Sequence, residues 1–248
     1  MMKFIDLGDI ILLPSKMIYI KSLSALAFSD LHIGLEFAFA ESGVFIPPLQ
    51  YKVIKREIKR SVKKFKPQRI IIVGDLKHTF SQKTLQEHKE VIDMLKALKN
   101  LDVDVILIRG NHDNFIRGIL ERYDVLNVPY LIEGEYLFIH GHKKIPEGPD
   151  IQKKRIVMGH MHPTITIFDY ISRDKLPVFL VSSQYIILPA LTPLLPGLDI
   201  ITGVIEADDY LSPIVSEFSK FEAYLVIENK RVMHLGFVGE IASLYAEK

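Results

Sequence analysis

The sequence contains no cysteine, and no long hydrophobic run interrupts its mixed composition. The absence of cysteine excludes disulfide bonds and zinc sites built from thiolates, and it is compatible with a reducing cytoplasm. No segment reaches the ~18 unbroken apolar residues that a membrane-spanning helix needs, so we expect no membrane partner. Near the N-terminus Asp6 and Asp9 interrupt the apolar residues, so we expect no signal peptide. The sequence therefore predicts a cytoplasmic protein.

Net charge is also nearly absent. The chain has 31 Lys and Arg against 30 Asp and Glu, which leaves a formal charge of +1. The total charge gives no hint of a nucleic-acid or membrane partner, so any hint must come from how the charge is distributed. The 248 residues are 48% hydrophobic, which is enough for one large core. Because no convincing linker interrupts the chain, we predict a single domain over residues 1–248.

The first half of the chain alternates short apolar runs with amphipathic stretches. The runs "ALAF", "RIIIV" and "VDVILI" are typical of buried strands, and apolar residues recur at helical spacing over 49–65 and 84–99. This β-α-β-α-β order predicts a layered α/β fold with parallel strands.

The second half, after about residue 125, loses the helical periodicity. Short strand-like runs such as "YLFI", "RIVM", "TITIFDYI" and "PVFLV" follow one another, and Pro189, Pro193 and Pro196 mark a long loop. Asn229-Lys230 is the expected tip of a late hairpin. We expect the second half to form a sheet that packs against the first half, with strands in 205–248 completing it.

Polar side chains directly follow five of the apolar runs. Seven of the nine histidines lie in these clusters, which are "SDLHIG", "GDLKH", "GNHD", "IHGH" and "GHMH". Ligands of α/β sheets sit outside the carboxyl ends of the strands, which is where all five clusters fall. Carboxylate, amide oxygen and neutral imidazole together suit manganese, iron or zinc. In an extended backbone, Asp30 and His32 would point to the same side, as would His160 and His162.

Each cluster taken alone has an ordinary explanation. A single Asp-x-His is common, "GNHD" is more often a turn, and a His-x-His pair is often an exposed strand face. Five such clusters in order, each closing an apolar run, instead indicate a metal site. His88 and His234 lack this context, and we assign them to surface and strand positions.

The order D-x-H, G-D, G-N-H-D, H and G-H-x-H resembles the calcineurin-like metallophosphoesterase superfamily, and it spans residues 30–162. The resemblance implies two mixed β-sheets packed as a sandwich, with helices on the outer faces. The stretches "SDLHIGLEFAFAESGVFIPPLQY", "GDLKHTF" and "GHMHPTI" look like a narrower prokaryotic branch. That branch is associated with a DNA ligase and a large helicase, and its members are regarded as DNA-repair endonucleases or phosphodiesterases.

The resemblance also implies a centre of two divalent ions, with manganese preferred and iron, zinc or nickel as alternatives. The implied ligands are Asp75, bridging both ions; Asp30, His32 and His162 on the first ion; and Asn111, His140 and His160 on the second. The cluster "IHGH" offers both His140 and His142, and we choose His140 because it directly follows the apolar strand.

The remaining roles that the resemblance implies concern the substrate. A hydroxide between the ions would attack phosphorus, and His112 would protonate the leaving oxygen. Asp113 would hold or tune His112, and His78 would position the phosphate.

Surface charge is the remaining clue to the substrate. Eight basic residues lie between 52 and 66, opposed only by Glu57, and they form either a solvated helix face or a phosphate-contacting strip. Basic residues also flank the last two clusters and could hold a nucleic-acid strand; they are Lys143, Lys144, Lys153, Lys154 and Arg155. Phe37, Phe39 and Phe45 could stack on bases, but packing in the core or between two copies of the chain is the preferred reading.

Three functions are compatible with these observations. The preferred one is cleavage of phosphodiesters in DNA or RNA, and the second is hydrolysis of small phosphoesters such as nucleotides or cyclic nucleotides. The third is a non-catalytic scaffold of the same fold. Scaffold relatives usually lose the reactive histidine, whereas His112 is present, so the scaffold ranks last.

Overall fold

The structure is a computed structural model that describes residues 3–80, 85–148, 151–168, 173–195, 197–201, 212–215 and 217–246. Pro196 and the end of the predicted "TITIFDYI" strand lie outside these residues, as does part of the predicted 205–248 region. Within the described residues, the strands form two sheets that pack face to face.

The first sheet is antiparallel at one edge and parallel at the other. Its strands, in spatial order, are β1 (Ile5–Asp6), β2 (Ile10–Leu12), β3 (Ile18–Ile20), β4 (Ala25–Phe28), β5 (Arg69–Ile72), β6 (Asp104–Ile108) and β7 (Leu126–Val128). Strands β1 to β4 pair antiparallel, and β4 to β7 pair parallel. The helices between the parallel strands are α1 (Leu35–Glu41), α2 (Gln50–Phe65), α3 (Leu85–Lys99) and α4 (Arg117–Arg122).

The second sheet is also mixed. Its strands are β8 (Tyr130–Glu133), β9 (Tyr136–Ile139), β10 (Arg155–Met158), β11 (Pro163–Phe168), β12 (Arg173–Val181), β13 (Tyr185–Ile187), β14 (Leu198–Asp199), β15 (Glu222–Ile227) and β16 (Arg231–Phe237). Strands β9, β10 and β13 run parallel at its centre. Strand β15 pairs with β12, and β16 pairs with β15 through a hairpin whose tip includes Asn229 and Lys230, as predicted.

Three apolar cores separate four layers. The core between the sheets joins residues such as Ile71 and Val73 to Phe138 and Val157. A second core packs α2, α3 and α4 against the outer face of the first sheet. A third covers the outer face of the second sheet, partly with α5 (Val238–Ala246). The predicted sandwich with helices on its outer faces is therefore confirmed.

Helix α2 shows how the sequence pattern produces this layering. Its apolar residues Tyr51, Ile54, Ile58 and Val62 are buried at three- and four-residue spacing, and the basic residues between them face outward. The chain leaves the helix at Lys66, which has a left-handed φ of 47°.

The end of the chain differs from expectation. We predicted strands to the C-terminus, but residues 238–246 form α5, whose Val238 and Ala242 are buried against the second sheet. No helix in the described ranges is both long and apolar enough for a bilayer crossing.

Candidate metal centre

The five polar clusters lie where the parallel strands end. They begin one to three residues after the ends of β4, β5, β6, β9 and β10. Because neighbouring parallel strands end at the same edge, each sheet brings its clusters together, as predicted. The two sheets are tied at this edge by the 190–192 loop, where the Leu191 N–H donates to the Ser29 carbonyl and the Thr192 N–H donates to the Asp30 carbonyl, at 2.9 and 3.1 Å.

The backbone around the candidate ligands is not extended. Five of them, Asp30, His32, Asp75, His160 and His162, have φ between 45° and 68°. We expected the pair Asp30 and His32, and the pair His160 and His162, each to point to one side of an extended segment. That expectation is wrong. Left-handed backbone is rare for residues other than glycine, and it costs about 1–3 kcal/mol each where the surroundings enforce it. Strain of this kind concentrates at functional sites.

The side chains of the described residues form three groups of metal-ligand atoms; the group of His32, His78 and His112 contains no carboxylate, and the other two contain one each. Asp30, His32 and His162 make the first group, and Asp75, His140 and His160 make the second, with the ligand atoms in each group within 4.8 Å of one another. The His160–His162 pair is thus divided between the groups. The amide oxygen of Asn111 lies next to the second group, with its Oδ1 3.1 Å from Nε2 of His140.

Asp75 occupies the middle of the cluster. Its Oδ2 lies 3.3 Å from Nε2 of His140 and 3.8 Å from Nε2 of both His32 and His112. Its Oδ1 accepts a hydrogen bond from the backbone N–H of His112 at 2.9 Å. One carboxylate oxygen that faces imidazoles from several loops has the position expected of a bridging ligand.

Asp30 carries one oxygen that the protein satisfies and one that it does not. Its Oδ2 accepts the backbone N–H of His160 at 3.0 Å and contacts the Ser29 hydroxyl. Its buried Oδ1 has no hydrogen-bond partner among the described residues, although Nε2 of His162 lies 3.2 Å away. Burial favours the neutral acid, but the imidazoles of His162, His140 and His32 outweigh burial and hold the pKa of Asp30 well below its usual range.

The histidine environments also fit metal ions. Nε2 of His32 is buried without a hydrogen-bond partner in the described part of the chain. Burial lowers the pKa of His32 to about 3 and that of His160 to about 4, which keeps both imidazoles in the neutral form that binds metal. Orphaned carboxylate and imidazole atoms that face one another are what a cation would satisfy, so the donor set fits divalent ions.

The choice of His140 over His142 is consistent with the geometry. The side chain of His140 is fully buried, and its Nδ1 lies 2.9 Å from the Val73 carbonyl. A carbonyl can only accept, so Nδ1 carries the proton and Nε2 is left facing Asp75 and Asn111. Burial opposes protonation, but the hydrogen bond to Asp75 and the charges of Asp30 and Asp75 raise the pKa of His140 to about 9. The ring of His142 neighbours that of His140, with 5.3 Å between the two ring centroids.

His112 and His78 form the part of the site that faces outward. Nδ1 of His112 donates to the backbone carbonyl of His78, so Nε2 is the atom left for a substrate proton. The two rings stack at 5.3 Å, and Nδ1 of His78 lies 3.3 Å from Nδ1 of His32. Phe80, which sequence reasoning missed, covers His112 at a centroid distance of 3.9 Å. No pattern in the sequence distinguished it from any other loop phenylalanine.

Asp113 does not hold the His112 ring, contrary to expectation. Its Oδ2 accepts the backbone N–H groups of Asp75 and Gly110, and its Oδ1 accepts that of Leu76, all at 2.9 Å. Burial and the charge of Asp75 raise the pKa of Asp113 to about 6. This carboxylate therefore holds the loop after β5 against the loop after β6. The hydrogen-bond partner of the His112 ring is instead the backbone carbonyl of His78.

Gln50 and Gly110 also shape the loops. The side-chain amide of Gln50, at the start of α2, donates to the carbonyl of Leu31 at 2.8 Å and so holds the loop after β4 in place. A Cβ on Gly110 would lie 2.1 Å from Oδ1 of Asp75, which no real contact allows. The sequence offered a hint only for the glycine, because it stands directly before the "NHD" cluster.

The basic residues do not all lie near the centre. Lys153, Lys154 and Arg155 stand at or before the start of β10, whereas His160 follows its end, about 16 Å along the strand. The expectation that these three flank the chemistry is therefore wrong. Lys143 and Lys144 follow His142 directly and lie beside Asn111. Of the three phenylalanines in the α1 region, Phe45 is 86% exposed and is not part of the core.

The chain was compared with known proteins. The calcineurin-like phosphoesterase family profile matches residues 23–187. The crystal structure of the Pseudomonas putida nuclease MPE is similar, with 25% identity, a TM-score of 0.65, and coverage of 94% of this chain and 99% of that chain. The E. coli phosphoesterase YfcE aligns over 86% of this chain and 98% of its own, with 14% identity and a TM-score of 0.43. No curated protein matches the chain. The chain belongs to the calcineurin-like phosphoesterase family and is a metal-dependent phosphoesterase.

Proposed function

We propose that this protein hydrolyses phosphodiester bonds in nucleic acid at a centre of two divalent ions, with manganese as the working ion. The observation that carries the proposal is that two groups of ligand atoms meet, Asp30/His32/His162 and Asp75/His140/His160. In the first group, the buried Oδ1 of Asp30 and Nε2 of His32 have no hydrogen-bond partner among the described residues. We further propose that Asn111 joins the second group and that Asp75 is shared between the two.

The ions, when bound, would supply positive charge for an anionic phosphoester and would lower the pKa of water toward ~7. The protein contributes orientation and proton transfer. Because Nδ1 of His112 is held by the His78 carbonyl, a protonated His112 presents Nε2–H to the leaving oxygen. The His78 ring stacks beside it and can hold a phosphate oxygen. Asp113 keeps the loops of Asp75 and Gly110 in register.

Two lines of support favour nucleic acid as the substrate. The solved structure with 25% identity is described as a nuclease. Lys143 and Lys144 also place positive charge next to the candidate centre. The second candidate, a small phosphodiester or phosphomonoester such as a nucleotide or cyclic nucleotide, is favoured by nothing specific in the structure, although the ion centre would accept it.

Further parts of the proposal concern the protein's setting. We propose that residues 1–248 act as one domain, because both sheets supply the centre, and that the protein works in the cytoplasm. The exposed Val44, Phe45 and Leu49 support a homodimer, which light scattering after gel filtration would detect. The proposal of an association with a DNA-repair helicase and ligase rests on the resemblance of the three stretches "SDLHIGLEFAFAESGVFIPPLQY", "GDLKHTF" and "GHMHPTI".

The decisive experiment is an activity panel with Mn²⁺. The protein is incubated with single-stranded and duplex oligonucleotides, bis-(p-nitrophenyl) phosphate and p-nitrophenyl phosphate. Asp75→Ala should lose more than the ~10–100-fold that outer partners of a metal site cost. Asp104→Ala, at the exposed start of β6, is the matched control and should retain full activity.

The outcomes separate the candidate functions. If oligonucleotides remain intact while the small diester is hydrolysed well, the nuclease proposal is wrong and the small-molecule function replaces it. Activity that survives Asp75→Ala would remove the proposed centre altogether.

A further inference from the structure

A cavity of about 530 Å³ opens beside the candidate centre. Its lining includes Asn111, which we place in the second ligand group, and six further polar or aromatic residues. These are Arg109, Asn114, Tyr130, His142, Lys143 and Lys144. The volume falls within the ~300–1,000 Å³ range of small-ligand sites, which is ample for one nucleotide. The centre itself accounts for the phosphate that reacts, so this cavity is available for what lies next to it.

The charge of the cavity has one sign. Arg109, Lys143 and Lys144 are exposed cations, and none of the residues that line the cavity is Asp or Glu. Among the described residues, no carboxylate lies within 4.0 Å of these three cations, whereas Lys55, Lys99 and Arg117 all have such partners. The three charges are therefore free to meet a phosphodiester backbone.

The cavity is connected to the ligand groups by hydrogen bonds. A guanidinium nitrogen of Arg109 donates to Oδ1 of Asn114 at 3.1 Å, and Nδ2 of Asn114 donates to the Asn111 carbonyl at 3.1 Å. Oδ1 of Asn111 in turn lies 3.1 Å from Nε2 of His140. A phosphate bound by Arg109 would thus be held in fixed register with the reacting phosphate.

An aromatic side chain completes the lining. Tyr130, at the start of β8, is 38% exposed and lines the same cavity as the cations. Bases stack on exposed aromatic rings without regard to sequence. The lining combines a ring with three cations that have no carboxylate partner within the described ranges, which matches a nucleotide unit better than an apolar metabolite.

We propose that this cavity seats the nucleotide adjoining the scissile phosphate, with Arg109, Lys143 and Lys144 on backbone phosphates and Tyr130 against the base. This inference rests on the proposed function and deepens it, because it assigns the preference for polymeric substrates to named residues. The basic face of α2, which lies on the outer layer, is then not the substrate track.

The test compares two charge-matched variants. Lys143→Ala/Lys144→Ala removes two cations from the cavity, and Lys59→Ala/Lys63→Ala removes two from the exposed face of α2. The ratio of kcat/KM for an oligonucleotide to that for bis-(p-nitrophenyl) phosphate should fall about ten-fold in the cavity variant, and the salt slope should weaken by ~1–2. The α2 variant should leave the ratio and the slope unchanged.

Tyr130 is tested separately through binding. On the inactive Asp75→Ala background, fluorescence anisotropy of a labelled oligonucleotide should show at least about five-fold weaker binding for Tyr130→Ala, and near-normal binding for Tyr130→Phe. The Phe variant retains the ring, so it distinguishes stacking from loss of a hydroxyl.

The two levels of the proposal fail differently. An unchanged ratio in the cavity variant, or an equal fall in the α2 variant, overturns the cavity assignment and leaves the nuclease function standing. If the wild-type protein cleaves no oligonucleotide, yet the inactive protein binds one through Lys143, Lys144 and Tyr130, the nuclease function fails, and the cavity is a nucleotide-binding site without a scissile phosphate beside it.

Discussion

The two sheets bring different chemistry to the candidate centre. The first sheet supplies both carboxylates of the ligand groups, Asp30 and Asp75, together with the imidazole of His32, the amide of Asn111 and the outward-facing His112. The second sheet supplies only imidazoles. Each carboxylate meets one of them at nearly the same distance, since Oδ1 of Asp30 lies 3.2 Å from His162 and Oδ2 of Asp75 lies 3.3 Å from His140.

This division means that neither half is a site on its own. The first sheet alone would hold two buried acidic groups without counter-charge, which is costly in a low-dielectric interior. The second alone would hold neutral imidazoles without an anion. The packing of one sheet on the other therefore assembles the chemistry as well as the core, and four experiments can break or sharpen that contrast.

The largest effect should come from the first sheet's outward histidine. His112→Ala should retain its metal and lose about 10²–10⁴-fold in kcat on diesters with poor leaving groups, because general acid help is lost. Diesters with a p-nitrophenolate leaving group should be affected far less. An equal loss on both substrate types, measured beside metal content, would contradict the assignment of His112 as the acid.

The second largest effect should come from the close contact between the loops that follow β5 and β6. In Gly110→Ala the new Cβ meets Asp75, so we expect about 1–3 kcal/mol less stability by urea unfolding and a ~10–100-fold fall in activity. Gly118→Ala, in α4 with nothing within 4 Å of its Cβ, should instead stabilise by about 0.5–1 kcal/mol. Similar behaviour of the two variants would show that the Gly110 contact is unimportant.

The second sheet should determine how metal binding depends on pH. With its pKa raised to about 9, metal-free His140 holds a proton at neutral pH, and that proton must leave when an ion binds. Apparent Mn²⁺ affinity should therefore rise about ten-fold per pH unit between ~7 and ~8, with one proton released in calorimetry. His140→Gln should bind more weakly, with a flatter dependence; a flat wild-type profile would contradict this account.

The smallest effect should come from an ion pair that joins the two sheets and supplies none of the candidate ligands. Buried Lys16, from the β2–β3 turn, pairs at 3.0 Å with Glu228 of the β15–β16 hairpin. Glu228→Gln should lower the free energy of unfolding by about 1–2 kcal/mol at neutral pH, because the buried ammonium group keeps its hydrogen bond to the Thr192 carbonyl but loses its counter-charge. The exposed pair of Glu217 and Lys220 is the control, and Glu217→Gln should leave the free energy of unfolding nearly unchanged, because solvent screens the pair.

The sign of the pH effect at this joint follows from burial. Burial lowers the pKa of Lys16, although Glu228 opposes it, so the folded chain binds this proton less tightly than the unfolded chain. The buried charge costs stability at neutral pH, and that cost disappears as pH rises through the lowered pKa toward 10.5. The Glu228→Gln deficit should therefore shrink with rising pH, and a growing deficit would contradict this assignment.

The sequence predicted the layers well because buried elements leave a regular spacing of apolar residues along the chain. The runs that became β4, β5 and β6 are apolar on both faces, and α2 repeats every three to four residues. It did not predict α5, since "VGEIASLYA" follows a strand-like run without a capping residue or break. Whether such a segment continues the sheet or covers it depends on packing against the third core.

The sequence predicted which residues gather at the candidate site, but it did not predict their backbone conformations or their contacts. Which residues gather could be inferred from where strands end, but the left-handed φ of Asp30 and His160 and the loop-bracing role of Asp113 depend on contacts between distant loops. Arg155 differs in this respect, because it opens the predicted strand "RIVM", and its distance from the histidines after that strand could have been inferred from the sequence.

The order of the clusters along the chain has a consequence during synthesis. A ribosome releases Asp30 and Asp75 first, then His140 and His160, and the loop that ties Leu191 to Ser29 emerges later still. A nascent chain cannot hold a pair of ions in the folded arrangement until that loop has left the exit tunnel. We therefore expect metal loading to follow release of the second half of the chain, so that the ion acquired is the one most available around the finished protein.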